Sequence, residues 1–124
     1  MYSVRTHIVH LSTSEAIPLI RESRTNGAQL TVETCHHYLS LCAEDVPDAS
    51  TEYKCAPPIR GISNREKLWQ GILDDDINLV VSDHSPSTPG VKMLIYGKNR
   101  GDFLKAWGGI SSVQFGIDFY SVFM

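Results

Sequence analysis

Cysteine is scarce in this chain. The three present, Cys35, Cys42 and Cys55, are odd in number and form no CxxC pair, which argues against a disulfide framework or a thiolate zinc site and favours a reducing compartment. Long apolar runs are missing too, and none approaches the roughly 20 residues that span a bilayer. Basic clusters are absent: the 11 Lys and Arg are scattered and the net charge is −3, so neither nucleic acid nor a membrane is an expected partner. The opening "MYSVRTHIVH" lacks the charged-then-greasy layout of a secretory leader. The expected location is therefore intracellular, with cytoplasm and peroxisome left open. No P-loop, GxGxxG fingerprint or HExxH helix occurs.

What is present fits a globular α/β protein. The 124 residues are 42% hydrophobic and 20% charged, enough for one domain that buries roughly two-thirds of its unfolded surface. "HIVHL" (7–11) reads as a strand, being β-branched and too short for a helix. Ser12 and Glu15 then have capping-box spacing ahead of a helix whose apolar face is Ala16, Ile17, Leu19 and Ile20. Pro18 is tolerable near its first turn, and Gly27 is placed to stop it. "QLTVET" (29–34) is a second strand. An irregular stretch from about Cys35 to Ile62, punctuated by Pro47, Pro57, Pro58 and Gly61, has the length of a functional loop. Ser63 and Glu66 repeat the capping-box spacing before a helix with Leu68, Trp69, Ile72 and Leu73 on one face. "INLVVS" (77–82) is a third strand, apolar enough for a parallel sheet covered on both sides. A short helix is expected near "DFLKAW", followed by a turn at Gly108 and Gly109. The alternation predicts βα units on a parallel sheet, whose chemistry belongs at the strand C-termini.

His10 and Asp83 fall at such ends. His10 closes the first strand, where a neutral imidazole can bind a divalent metal or simply make one core hydrogen bond. His7, three residues earlier, faces the other side of the sheet. Asp83 follows Leu79, Val80 and Val81, and an unpaired carboxylate in such surroundings costs several kcal/mol unless a cation or a metal offsets it. Capping a following turn is the alternative role. His36 and His37, read as neighbours on a strand end, point to opposite faces and cannot both serve one site. Cys55, with only Lys54 as a basic neighbour, has weak grounds as a nucleophile. "APPIR" (56–60) reads as a stiff connector whose Arg60 can hold a carboxylate or a carbonyl.

Taken together, "HIVHLS", "TVETCHHYL", "KCAPPIR", "NREKLWQGI", "VVSDHSP" and "GDFLKAWGGISSVQFG" resemble the C-terminal portion of the allantoinase family. These are cyclic-amide hydrolases of the amidohydrolase superfamily, akin to dihydroorotases and hydantoinases. The resemblance runs from about His7 to Gly116, and "SDHSP" with "AWGGI" downstream carries the specificity. It implies a (β/α)₈ TIM-type barrel of which this chain supplies about strands six to eight, with 1–124 as one C-terminal piece. It implies two zinc ions bridged by a carboxylated lysine that lies outside this chain. His10 is then a metal ligand. Asp83 is a ligand and the catalytic base, and the backbone around Ala56 contacts the substrate ring. The substrate implied is (S)-allantoin, opened to allantoate, and the parent protein is expected to be a homo-oligomer.

The family's first-strand HxH pair, its fourth-strand lysine and its fifth-strand histidine have no counterparts here. A whole barrel takes about 250 residues. Met1 stands close to the first strand, and "IDFYSVFM" drifts from the family pattern, so both ends look cut from something larger. The chain alone is expected to be inactive. The alternatives are a piece of a dihydroorotase- or hydantoinase-type enzyme, or a non-catalytic truncated product.

Overall fold

The computed structural model describes residues 4–95 and 97–116. The divergent "IDFYSVFM" lies outside the described residues. Three strands, β1 (Thr6–Ile8), β2 (Leu30–Cys35) and β3 (Leu79–Val81), form one parallel sheet in the order β1-β2-β3. Three helices connect or follow them: α1 (Ile17–Thr25), α2 (His36–Ser40) and α3 (Ile62–Leu73). The parallel α/β organisation expected from the alternation is therefore present. Its register is set by Ile8 opposite Val32 on one side of β2 and by Cys35 opposite Val81 on the other.

One core cluster holds the layers together. Val32 and Cys35 from β2, Leu11, Ile17 and Ile20 from the first βα unit, Tyr38 and Leu39 from α2, and Leu68 and Ile77 pack as one group. β1 and β3 are edge strands in this chain, and Leu79 of β3 is 51% exposed rather than covered on both faces. Leu73, expected on the apolar face of α3, is 75% exposed because that helix buries its Leu68 side and ends at Leu73. Among the described residues, no helix is long and apolar enough to cross a membrane.

Local signals were read correctly in part. Pro18 does sit in the first turn of α1, and Gly27 adopts φ +87° just past its end, where a side chain would be strained. The two capping boxes do not form. Thr13, not Ser12, accepts from the Glu15 amide at 3.3 Å, while the Ser12 carbonyl accepts from the Asn64 side chain at 2.9 Å. At α3, Ser63 already lies inside the helix, and the exposed Ile62 amide donates instead to the Glu44 carboxylate at 3.1 and 3.2 Å. A distant loop thus does the capping that sequence spacing assigned to a neighbour. "DFLKAW" is a turn, not a helix: Asp102 Oδ1 accepts from the amides of Leu104 and Lys105 at 3.0 and 3.2 Å, and nothing prolongs it.

The link from α1 to β3 is ionic. Arg21 donates through Nε to both oxygens of the buried Asp76 at 2.9 Å, and through Nη2 to Asp74 at 2.8 Å. Such a fork-to-carboxylate geometry fixes direction as well as distance. It brings the entry of β3 against α1, and so decides where the far end of β3 emerges.

Candidate functional site

Register determines which side chains meet. Cys35 pairs with Val81 across β2 and β3, so His37 and Asp83, each two residues further on, emerge at the same level on neighbouring strands. On the other side, Ile8 pairs with Val32, and the Leu11 amide donates to the Glu33 carbonyl at 2.8 Å. His10 is thereby brought to the same rim, at the level of Thr34. It stands two residues beyond the end of β1 rather than closing it, because the chain turns there.

That turn is informative. His10 has φ +40° and Asp83 has φ +44°. Left-handed backbone is uncommon for residues other than glycine, although Asp and His tolerate it better than most, and it clusters at functional sites. Both residues singled out from the sequence therefore leave their strands through the same unusual bend.

His37 completes the group. The strand-end reading of His36 and His37 is corrected by α2, which begins at His36 and carries both buried in its first turn. The two rings do diverge. His37 lines the cleft with Asp83, whereas His36 Nε2 approaches Gly116. His37 is 2% exposed, and burial lowers its pKa to about 4, with Asp83 pulling upward and His10 pushing downward. One ring thus senses both predicted site residues. Sequence reasoning held that His36 and His37 cannot both serve one site, which the diverging rings bear out, but it did not choose His37 over His36.

The cleft has a volume of about 410 Å³ and is lined by His37, Cys55, Ala56, Asp83, Ser85 and the segment 106–110. Ala56, expected at the substrate ring, does share it with Asp83. Its wall is pinned from behind. Gly109 donates to the Lys54 carbonyl at 2.9 Å, and Ser85 donates to the Ile110 carbonyl at 2.9 Å. Gly109 has φ +119°, and a Cβ there would fall 2.5 Å from the Ser85 carbonyl oxygen. Only glycine lets the two loops close on each other.

Lys92 ties the same wall. It is 5% exposed, and its ammonium donates to the carbonyls of Glu52 at 3.2 Å, Lys54 at 3.0 Å, and Gly109. Burial lowers its pKa, and these carbonyls are what holds the charge in place. Lys92→Met keeps the stem but removes the donors, and should cost about 2 kcal/mol. Urea unfolding of the two proteins checks this, and equal midpoints would show the carbonyls to be indifferent to the loss.

Other candidates take structural roles. His84 Nδ1 accepts from the amides of Ser112 and Val113 at 3.0 and 3.2 Å. His7 meets Thr31 and Glu33 on the exposed side of the sheet at 2.7 and 3.0 Å. Arg60 approaches the Ser12 hydroxyl at 3.4 Å, and Tyr38 donates to the Pro57 carbonyl at 2.7 Å. Burial raises the Cys55 thiol, which fits its weak standing as a nucleophile. The three cysteines are free, as expected.

Metal-binding capacity can be tested on the ring nitrogens. His10 Nδ1 and both nitrogens of His37 are buried with no hydrogen-bond partner among the described residues. Unpartnered buried lone pairs are costly, and nitrogen and carboxylate donors at one rim suit a divalent transition metal.

Known proteins share this fold. The dihydropyrimidinase of Brevibacillus agri NCHU1002 superposes with TM-score 0.78 at 32% identity, over 91% of this chain and 24% of its own. The D-hydantoinase of Bacillus sp. AR9 does so with TM-score 0.77 at 30% identity, over 91% and 25%. No family model matches the chain. By fold and sequence this chain is a homologue of the cyclic amidohydrolases. Within that class its sequence relatives are allantoinases. It is 53% identical to the mitochondrial allantoinase of Aquarana catesbeiana over 119 residues, 96% of this chain and 24% of that protein. It is 52% identical to that of Saccharomyces cerevisiae over 111 residues, 90% and 23%. The chain thus spans about a quarter of the length of the curated relatives it matches.

Proposed function

We propose that this chain is the part of an allantoinase that supplies the last three βα units of a (β/α)₈ barrel, with residues 1–124 as one piece of that domain. The observation that carries this reading is the shared rim. His10 and Asp83 leave parallel strands through matching left-handed bends, and both bear on His37. The substrate is a small cyclic amide, allantoin by its relatives' names and its S form by the sequence resemblance, and the product is allantoate. The compartment is intracellular, in keeping with three free thiols, and the complete protein is a homo-oligomer.

In this reading His10 and Asp83 hold a divalent metal, zinc by the family resemblance, as part of a two-metal centre completed from outside the chain. When bound, such ions polarise a carbonyl and lower the pKa of water. The Asp83 carboxylate, exposed to the cleft, takes the proton of the attacking water and returns it to the departing ring nitrogen. The backbone at Ala56, which lines the same cleft, orients the ring amide.

The chain by itself supplies too few ligands for a catalytic zinc, which normally takes three from protein. Turnover of allantoin by the purified 124 residues with added zinc should stay at background. Mixing with, or joining to, a segment that carries the other five strands should restore it. Turnover by the chain alone would overturn the division of the site, and a completed barrel that opens hydantoin but not allantoin would move the reading to the hydantoinases.

A further inference from the structure

Another set of donors surrounds Asp83 within this chain. Cys35 Sγ, a His37 ring nitrogen and an Asp83 oxygen lie within 4.8 Å of one another. We propose that these three residues form a divalent-metal site of their own, with a thiolate, an imidazole and a carboxylate as ligands. It differs in composition from the His10–Asp83 assignment above, sharing only the carboxylate, and stands whichever reaction the complete protein performs.

Three observations support the site. The first is placement: Cys35 ends β2 opposite Val81, and His37, in the first turn of α2, and Asp83, two residues past β3, follow directly from that paired end. The second is the state of His37, 2% exposed with neither ring nitrogen hydrogen-bonded among the described residues. A buried imidazole with two idle nitrogens is rare unless something else satisfies it. The third is chemistry. Sulfur, nitrogen and oxygen together suit zinc, which takes three protein ligands and leaves a fourth position to water.

The distances are near what is needed. Metal–ligand bonds of about 2.0–2.3 Å place tetrahedral donors roughly 3.3–3.8 Å apart, so donors within 4.8 Å of one another need to close by at most about 1.5 Å. Asp83 is exposed and sits on a loop that can supply that movement. Burial and the nearby Asp83 push the Cys35 thiol up to about 12, so it is protonated beforehand. Binding forms the metal–sulfur bond as the S–H bond breaks, and the proton leaves to solvent. One proton is released per ion, which makes affinity rise with pH.

Cobalt(II) is the probe. Titrated into the metal-free 124-residue chain, it should give one equivalent of binding, a thiolate-to-cobalt charge-transfer band in the near ultraviolet, and intense visible bands of tetrahedral cobalt. Zinc should displace it. Cys35→Ser, which is nearly isosteric, should abolish the charge-transfer band, and Cys55→Ser should keep it. His37→Gln should weaken binding by more than about tenfold. A spectrum of the unsubstituted chain without the charge-transfer band overturns the proposal whatever the variants do. So does a band that survives Cys35→Ser. Failure of this site leaves the restored-activity test above untouched, and the reverse also holds.

Discussion

Replacing Asp83 by Asn in the completed enzyme should lower the turnover number for allantoin by about 10²–10⁴-fold, the range that a positioned proton carrier contributes. Asn is the appropriate substitution for a conformational reason. Asp83 sits at φ +44°, a region that Asn enters readily and Ala does not. Asp83→Asn therefore removes the base without adding backbone cost, and at an exposed position its effect on stability should stay within about 0.5 kcal/mol. Asp83→Ala should lose the same activity and some stability besides. Steady-state kinetics, metal content and urea unfolding on the two variants separate these effects. A turnover number for the Asn variant within a few-fold of the parent, at full metal content, would remove Asp83 from the proton-transfer role.

The second large effect is on folding. Acidifying the metal-free chain from pH 7 to pH 4 should destabilise it by roughly 3 kcal/mol through His37 alone. Burial, the dominant cause, sets the folded-state pKa of this ring at about 4, against 6.5 when exposed. The folded pKa is depressed, so between those values the unfolded chain binds the extra proton. The contribution is complete above about 6.5 and is lost as pH falls through about 4. For domains stabilised by about 5–15 kcal/mol in total, that is a large share. His37→Gln, which cannot take up this proton, should flatten the pH dependence in that window. Urea midpoints for both proteins at several pH values provide the measurement. Parallel curves would mean that the ring is charged in the folded state or stays neutral in both.

Much of the architecture was legible because it rests on short-range signals. β-branched runs marked β2 and β3, Pro18 and Gly27 bracketed α1, and the alternation implied parallel pairing. Both capping-box misreadings have one cause, partners distant in sequence. Glu44 caps α3 from a loop, so the Ser63–Glu66 spacing was left idle. Asn64 takes the Ser12 carbonyl, which belongs to a helix start far upstream. "DFLKAW" has helical residues but leaves Leu104 and Trp107 exposed, and it turns about Asp102 instead.

At the site, His10, Asp83 and Ala56 were singled out by strand-end position and motif resemblance; Asp83 and Ala56 line one cleft, and His10 stands at the same rim. His37 was left undecided against His36 because both were read on a strand end, past the point where β2 becomes α2. Lys92 gave no local signal at all. Its role arises from three carbonyls contributed by two other loops.

The pairing of Cys35 with Val81 joins segments that leave the ribosome at different times. At about 5–20 residues per second, β2 waits a few seconds with one hydrogen-bonding edge bare before β3 arrives to cover it. Parallel ladders closed over such distances are slow to nucleate. The strand that carries Val32, Thr34 and Cys35, each fully buried once folded, is thus an adhesive surface during synthesis.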